Sequence, residues 1–216
     1  LARQARPPAA ARARAARICR RLQAAYPDAH CELDYQGPFQ LLVATILSAQ
    51  CTDKSVNKAT PALFRRFPDA ASLARAKTAQ IEACIRTVGL FRAKARNLQG
   101  MAQALLRDHG GQVPADREAL VALPGVGRKT ANVVLSNAFG SPGLAVDTHV
   151  LRVGARLGLL KATDAVKAEA ELCALLPPRL WGQFSHWLIW HGRRVCQARH
   201  PLCGACPLKR QCPSAK

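Results

Sequence analysis

Acidic residues are scarce in this chain of 216: 13 Asp and Glu stand against 32 Lys and Arg, a net charge of +19. So large an excess repels itself in a compact body, and a polyanionic partner is its natural explanation, nucleic acid first and an acidic membrane surface second. A basic protein without such a partner is the plainer alternative, and charge by itself supplies no mechanism. Aromatic residues are also few, at 5% against 49% hydrophobic overall, which points to a core of Ala, Leu and Val. Long apolar runs are missing. The best, Leu41 to Leu47, is far shorter than the roughly 20 residues a spanning helix needs, and the basic N-terminus lacks the apolar segment of a secretory signal. The expectation is a soluble protein of the cytoplasm, associated with the nucleoid through DNA; the Arg-rich, acid-poor start leaves an organelle open. Repeats at solenoid periods and alternating strand patterns are absent too.

What is present is helical signal. Leu1 to Arg21 holds seven arginines and no acid, which reads as a disordered basic arm over residues 1–10 merging into a helix around Ala11 to Ala25. Phe39 to Gln50 is an apolar run too long for a typical strand. Val56 to Phe67, Ala79 to Arg86 and Phe91 to Asp108 follow, the last with Leu98, Met101 and Leu105 on one face and Gly110-Gly111 as its stop. Asp116 is placed to cap a helix through Leu123. Arg128 to Phe139, Thr148 to Leu157, Asp164 to Leu176 and Trp181 to Trp190 complete an all-α protein of about ten helices.

The nine cysteines are not spread like a disulfide framework. Cys19, Cys31, Cys51, Cys84 and Cys173 are singletons, whereas Cys196, Cys203, Cys206 and Cys212 fall within the last 21 residues at Cys-x6-Cys-x2-Cys-x5-Cys spacing. That suits a reducing compartment with one metal-type site and several free thiols. Four thiolates so close together can wrap one tetrahedral metal or one iron–sulfur cluster. Zinc ribbons and fingers usually pair two Cys-x2-Cys knuckles and only one is present, so the spacing favours a cluster over zinc. A thioredoxin-like redox pair would need a preceding strand and a βαβ unit. Arg193, Arg194, Arg199, His200, Lys209 and Arg210 surround these cysteines, either as phosphate contacts that position without reading sequence or as ordinary solvated charges.

"LPGVGRKTANVV", residues 123–134, runs from a turn into a helix. A helix, this turn and a second helix, over residues 115–138, make a helix–hairpin–helix. Gly125 and Gly127, flanking Val126, let main-chain N–H groups approach a phosphate, and the second helix adds its own unpaired N–H groups. A tight αα-turn with no ligand is the bland alternative, which the charge disfavours. Arg128 and Lys129 stand at the end of a helix where cations are disfavoured. Arg128 makes sense facing a phosphate. At Lys129 the helix's positive end and the adjacent Arg128 favour the neutral, nucleophilic amine, although most lysines so placed are phosphate ligands. In "LAVDTHVLRV", Asp147 precedes the next helix; capping is the ordinary role, but a carboxylate here could also act on developing positive charge or a proton.

Together, "LLVATILSAQCTDKSVNKAT", "TVGLFRAKARN", "LPGVGRKTANVVL", "AVDTHVLRV" and the four-cysteine spacing resemble the endonuclease III family of DNA repair glycosylases, within the helix–hairpin–helix superfamily. The resemblance covers nearly the whole chain. It implies a two-lobed helical fold, with a six-helix barrel over residues 31–141 and a cluster domain built from 11–30 and 142–216, and catalysis between the lobes. It implies that Lys129 is the catalytic lysine and Asp147 the catalytic aspartate, and that Cys196, Cys203, Cys206 and Cys212 ligate one 4Fe-4S cluster. Gln50 is implied to enter the gap left by a flipped nucleotide and Leu90 to wedge the opposite strand, with Gly125, Val126, Gly127, Arg128 and Arg199 as further DNA contacts. Cys51 departs from the family pattern, where a smaller residue often follows the glutamine.

The activity implied is removal of oxidised pyrimidines from double-stranded DNA, with strand nicking at abasic sites by β-elimination through a lysine Schiff base, carried out by a monomer. Three rivals follow from the same residues. A monofunctional mismatch adenine glycosylase shares the fold but lacks a lysine at the hairpin. A non-catalytic helix–hairpin–helix binding module would leave the Lys129 and Asp147 pair without a purpose, and a zinc-stabilised basic protein is the most distant.

Overall fold

The computed structural model describes residues 7–216. Residues 1–6 of the basic arm lie outside the described residues; within them the first helix, α1 (Ala9–Ala25), opens two residues before the expected start at Ala11, directly after Pro8. Among the described residues the chain forms eleven α-helices, three short 3-10 turns and no strand. The all-α expectation holds. Two compact units divide the chain: residues 32–141 form one, and the segment up to Cys31 joins residues 142–216 in the other.

The continuous unit is organised around α2 (Gly37–Ser48), in which Leu41, Leu42, Val43, Ala44, Thr45, Ile46 and Leu47 are all buried. A helix apolar on every side is stable only with neighbours all round, and α2 packs against α3 (Asp53–Arg66), α6 (Phe91–His109) and α8 (Arg128–Ala138). On α6, Leu98, Met101 and Leu105 are fully buried on one face, each such side chain contributing about 1.5–3 kcal/mol. Gly110 ends α6 in a left-handed cap with φ 58°, and the Gly111 N–H donates back to Leu105 O at 2.9 Å. Between α3 and α6 lie α4 (Ala70–Arg75) and α5 (Thr78–Cys84), and α7 (Arg117–Val121) precedes α8. Sequence periodicity misses α4, whose six residues are too few to show a repeat. Its start is fixed instead by a capping box in which Asp69 accepts the Ser72 N–H at 2.7 Å.

The discontinuous unit combines α1 with α9 (Thr148–Arg156), α10 (Ala165–Leu175) and α11 (Trp181–Arg194). Its core is Ile18 and Leu22 from α1, Val150 and Val153 from α9, Leu172 from α10, and Phe184 and Leu188 from α11. Leu208, inside the cysteine loop, is fully buried in the same core and anchors that loop. The few aromatics are used as straps: the indole N–H of Trp187 donates to Tyr26 O at 3.2 Å, and the Tyr26 hydroxyl bonds His191 Nδ1 at 2.9 Å.

Candidate active site and nucleic-acid interface

In the continuous unit, α7 starts at Asp116, whose carboxylate accepts the Ala119 N–H at 2.9 Å. The chain then turns through Pro124 to Gly127 and enters α8. Gly125 has φ +77°, and a Cβ there would lie 2.9 Å from Asn97 Cβ, so the fold itself demands glycine. Gly127 is different. Its φ of −94° is ordinary, and a Cβ would meet nothing within 4 Å. Packing does not require glycine at 127, whereas close approach of an external group would. Val126 offers no side chain to a ligand: it is buried, and its N–H is donated to Leu123 O at 3.1 Å. Arg128 and Lys129, both exposed, occupy the first two positions of α8, whose first turn contains no acid.

Gln50 and Leu90 share a peculiarity that sequence reasoning did not detect. They have φ of 55° and 59°, the positive-φ non-glycine residues among those described. Each carries roughly 1–2 kcal/mol of backbone strain, the kind that gathers at functional positions. Leu90 is also 61% exposed, the most exposed large hydrophobic side chain among the described residues. Close by in the chain, Lys94 is only 4% exposed and donates from Nζ to Leu47 O at 2.8 Å and Ala49 O at 2.7 Å.

In the discontinuous unit, Asp147 is the half-buried N-cap of α9, accepting the Val150 N–H at 2.8 Å. His149, two residues on, is held below its ordinary pKa by burial, which outweighs the opposing pull of Asp147. The four C-terminal cysteines, all half-buried, line one cavity of about 280 Å³ together with Arg156, His191 and Arg199. Burial pushes the Cys206 thiol upward, against the Leu208 N–H and with the three other cysteines; a bound metal reverses such a direction by deprotonating the thiol. Several donors face the sulfurs. The Leu208 N–H lies 3.4 Å from Cys206 Sγ, and Arg156 Nη1 lies 3.4 Å from Cys196 Sγ. Arg156 also clamps Gln197 O and Ala198 O, and Arg152 holds Cys196 O at 3.1 Å. Burial lowers His191 to about 4, keeping it neutral beside Cys206, 3.6 Å from Nε2. Arg152, Arg156 and His191 were not singled out from sequence, because nothing in their spacing shows that they reach the cysteine loop. Arg199 is exposed on that loop.

Residues 43–178 match the family model described as HhH-GPD superfamily base excision DNA repair protein. The chain belongs to this superfamily. Endonuclease III of Synechocystis sp. is 55% identical over 204 residues, covering 94% of this chain and 93% of that protein. Endonuclease III of Escherichia coli K12 is 44% identical over 195 residues, covering 90% and 92%. A solved structure of a trapped endonuclease III–DNA covalent intermediate superposes with a TM-score of 0.90 at 43% identity, covering 94% of this chain and 96% of that one. The HhH-GPD match spans Gln50, Leu90, the hairpin, Lys129 and Asp147, and stops before Cys196. The all-helical structure is that of the HhH-GPD glycosylases.

Proposed function

We propose that this HhH-GPD protein is a base-excision DNA glycosylase and AP lyase that acts on oxidised pyrimidines in duplex DNA through a Schiff base on Lys129. The observation that carries the reading is the setting of Lys129: an exposed primary amine in the first turn of α8, directly behind a hairpin whose Gly127 leaves room that the fold does not use. A phosphate at the glycine hairpin and α8 N-terminus supplies the negative charge that this helix end lacks, and Arg128 adds a cation to the same contact. A lesion that stacks or pairs poorly costs less to extrude. Leu90 enters the stack and Gln50 fills the gap.

The Lys129 amine attacks the anomeric carbon through its nitrogen lone pair, the glycosidic bond breaks, and the base departs with the bonding pair. Asp147 stabilises the cationic sugar or takes the proton released by the amine. The sugar ring then opens at its C1′–O4′ bond, O4′ taking a proton, and the C=N bond that forms acidifies the neighbouring C2′–H; loss of that proton expels the 3′ phosphate and nicks the strand. The endonuclease III relatives, one of them captured covalently on DNA, favour this over a monofunctional adenine glycosylase or a non-catalytic binding module.

Cys196, Cys203, Cys206 and Cys212 would hold one 4Fe-4S cluster. The fit rests on four sulfurs around a single cavity with N–H donors facing them, the environment that thiolate-ligated clusters take. When bound, the cluster supplies a covalent staple for the loop that presents Arg199.

Borohydride reduction in the presence of DNA carrying an oxidised pyrimidine or an abasic site tests the reading. The expected result is a covalent protein–DNA adduct that disappears in Lys129→Ala. Adduct formation by that variant would overturn the lysine assignment, and a wild type that neither traps nor nicks would overturn the lyase reading.

A further inference from the structure

One buried lysine bonds to both sides of Gln50 through its ammonium group and to Leu90 through its backbone. Lys94 Nζ donates to Ala49 O at 2.7 Å and contacts Cys51 Sγ at 3.2 Å, so its ammonium group bonds the residue on each side of Gln50. A third bond, to Leu47 O at 2.8 Å, seats it on the last carbonyls of α2, where a cation complements the helix's negative end. The same residue reaches Leu90 through its backbone: the Lys94 N–H donates to Leu90 O at 3.0 Å, closing the first turn of α6. Cys51 Sγ completes the loop toward Gly89 O at 4.0 Å, next to Leu90. A buried lysine bonded to carbonyls and a thiol is an expensive choice for mere packing. Its ammonium group bonds the neighbours of Gln50, and its N–H bonds Leu90 itself.

We propose that Lys94 is a positioning residue that holds Gln50 and Leu90 in register for entry into the DNA duplex, with Cys51 as its third anchor. The inference rests on the functional reading above for the roles of Gln50 and Leu90, and adds the device that sets them. Strained backbone persists only where its surroundings over-determine it. With the ammonium group removed, the turn at Gln50 relaxes toward ordinary dihedrals, and the two side chains no longer enter the duplex together.

Lys94→Met keeps most of the stem and removes the cation. The experiment compares wild type, Lys94→Met, Lys94→Arg and the Gln50→Ala/Leu90→Ala pair with and without Lys94→Met. Three properties are read: single-turnover base release at saturating lesion DNA, affinity for undamaged duplex, and fluorescence of 2-aminopurine opposite the lesion. Lys94→Met should release base about 100-fold more slowly, the scale of an ångström-level misplacement, and lose the 2-aminopurine signal. Its affinity for undamaged duplex should stay within about 3-fold and Lys94→Arg should recover part of the rate, because charge and stem remain. In the doubly truncated background Lys94→Met should cost less than about 3-fold, because the residues it positions are gone. Wild-type release and fluorescence in Lys94→Met would overturn the proposal, and so would an undiminished loss in the truncated background. If Lys94→Met melts far below wild type, Lys94→Gln, which removes the charge but keeps a neutral donor for the α2 carbonyls, replaces it in the cycle with the same two readings. A wild type that releases no base fails the functional reading instead.

Discussion

The starts of α8 and α9 present the same electrostatic problem and solve it in opposite ways. At α9 the carboxylate of Asp147 accepts the Val150 N–H, and at α4, α7 and α10 Asp69, Asp116 and Asp164 do the corresponding work. A chain with only 13 acids places four of them as helix caps. Against that habit, α8 opens on Gly127, Arg128 and Lys129, with no side-chain cap and no acid in its first turn. One helix end is neutralised from within. The other carries no side-chain cap and no acid, which suits the phosphate contact proposed above.

The largest expected break in this contrast is at Lys129. Lys129→Ala should lower nicking by at least ~10³-fold while raising the stability of the free protein by about 0.3–1 kcal/mol, because a cation leaves the positive end of a helix. Thermal melting of the DNA-free protein checks the sign. Asp147 separates cap from chemistry. Asn caps about as well as Asp, so Asp147→Asn should melt near wild type yet cleave ~10²–10⁴-fold more slowly. Asp147→Ala should lose the same activity and about 1 kcal/mol besides. Normal cleavage by the Asn variant would leave Asp147 a cap like the other three.

The two hairpin glycines give a smaller and opposed pair. Gly125→Ala must force a methyl against Asn97 at positive φ, and should cost about 1–3 kcal/mol of stability. Gly127→Ala meets open space, so denaturant melts should shift by less than about 1 kcal/mol while duplex affinity drops. Equal effects of the two substitutions on folding would remove the argument for an external ligand at Gly127. Smallest of all, Arg128→Ala should weaken binding to every duplex alike and reduce the salt-dependence slope by about 1, measured by titration at several salt concentrations.

The starts of α7 and α10 were legible, because Asp116 and Asp164 act through bonds two or three residues away. So was the all-α class and, through ordered motifs, the superfamily. The end of α6 was equally plain in Gly110-Gly111. The α4 helix was not, since its six residues leave too short an apolar pattern to count. Neither Gln nor Leu signals a left-handed backbone, and no local sequence pattern marks the positive φ at Gln50 and Leu90. Lys94 shows the same limit from the other side. A lysine in an arginine-rich stretch reads as surface charge, and its burial depends on α2 ending where its ammonium group can reach the carbonyls. Arg156 likewise acts on a loop some 40 residues away, which local spacing cannot reveal.

The discontinuous unit has a consequence in time as well as in space. Arg14 donates to Gln211 O at 2.7 Å across 197 residues of chain, and α1 buries Ile18 and Leu22 against helices made more than a hundred residues later. At ~5–20 residues per second on the ribosome, residues 32–141 are complete and free to condense while α1 still waits, its apolar face without a partner, for on the order of 10 s or more. Cys196 to Cys212 emerge later still. Closure of this unit therefore follows well after residues 32–141 are made, so that a newborn chain finishes its hairpin well before the loop bearing Arg199 can take shape.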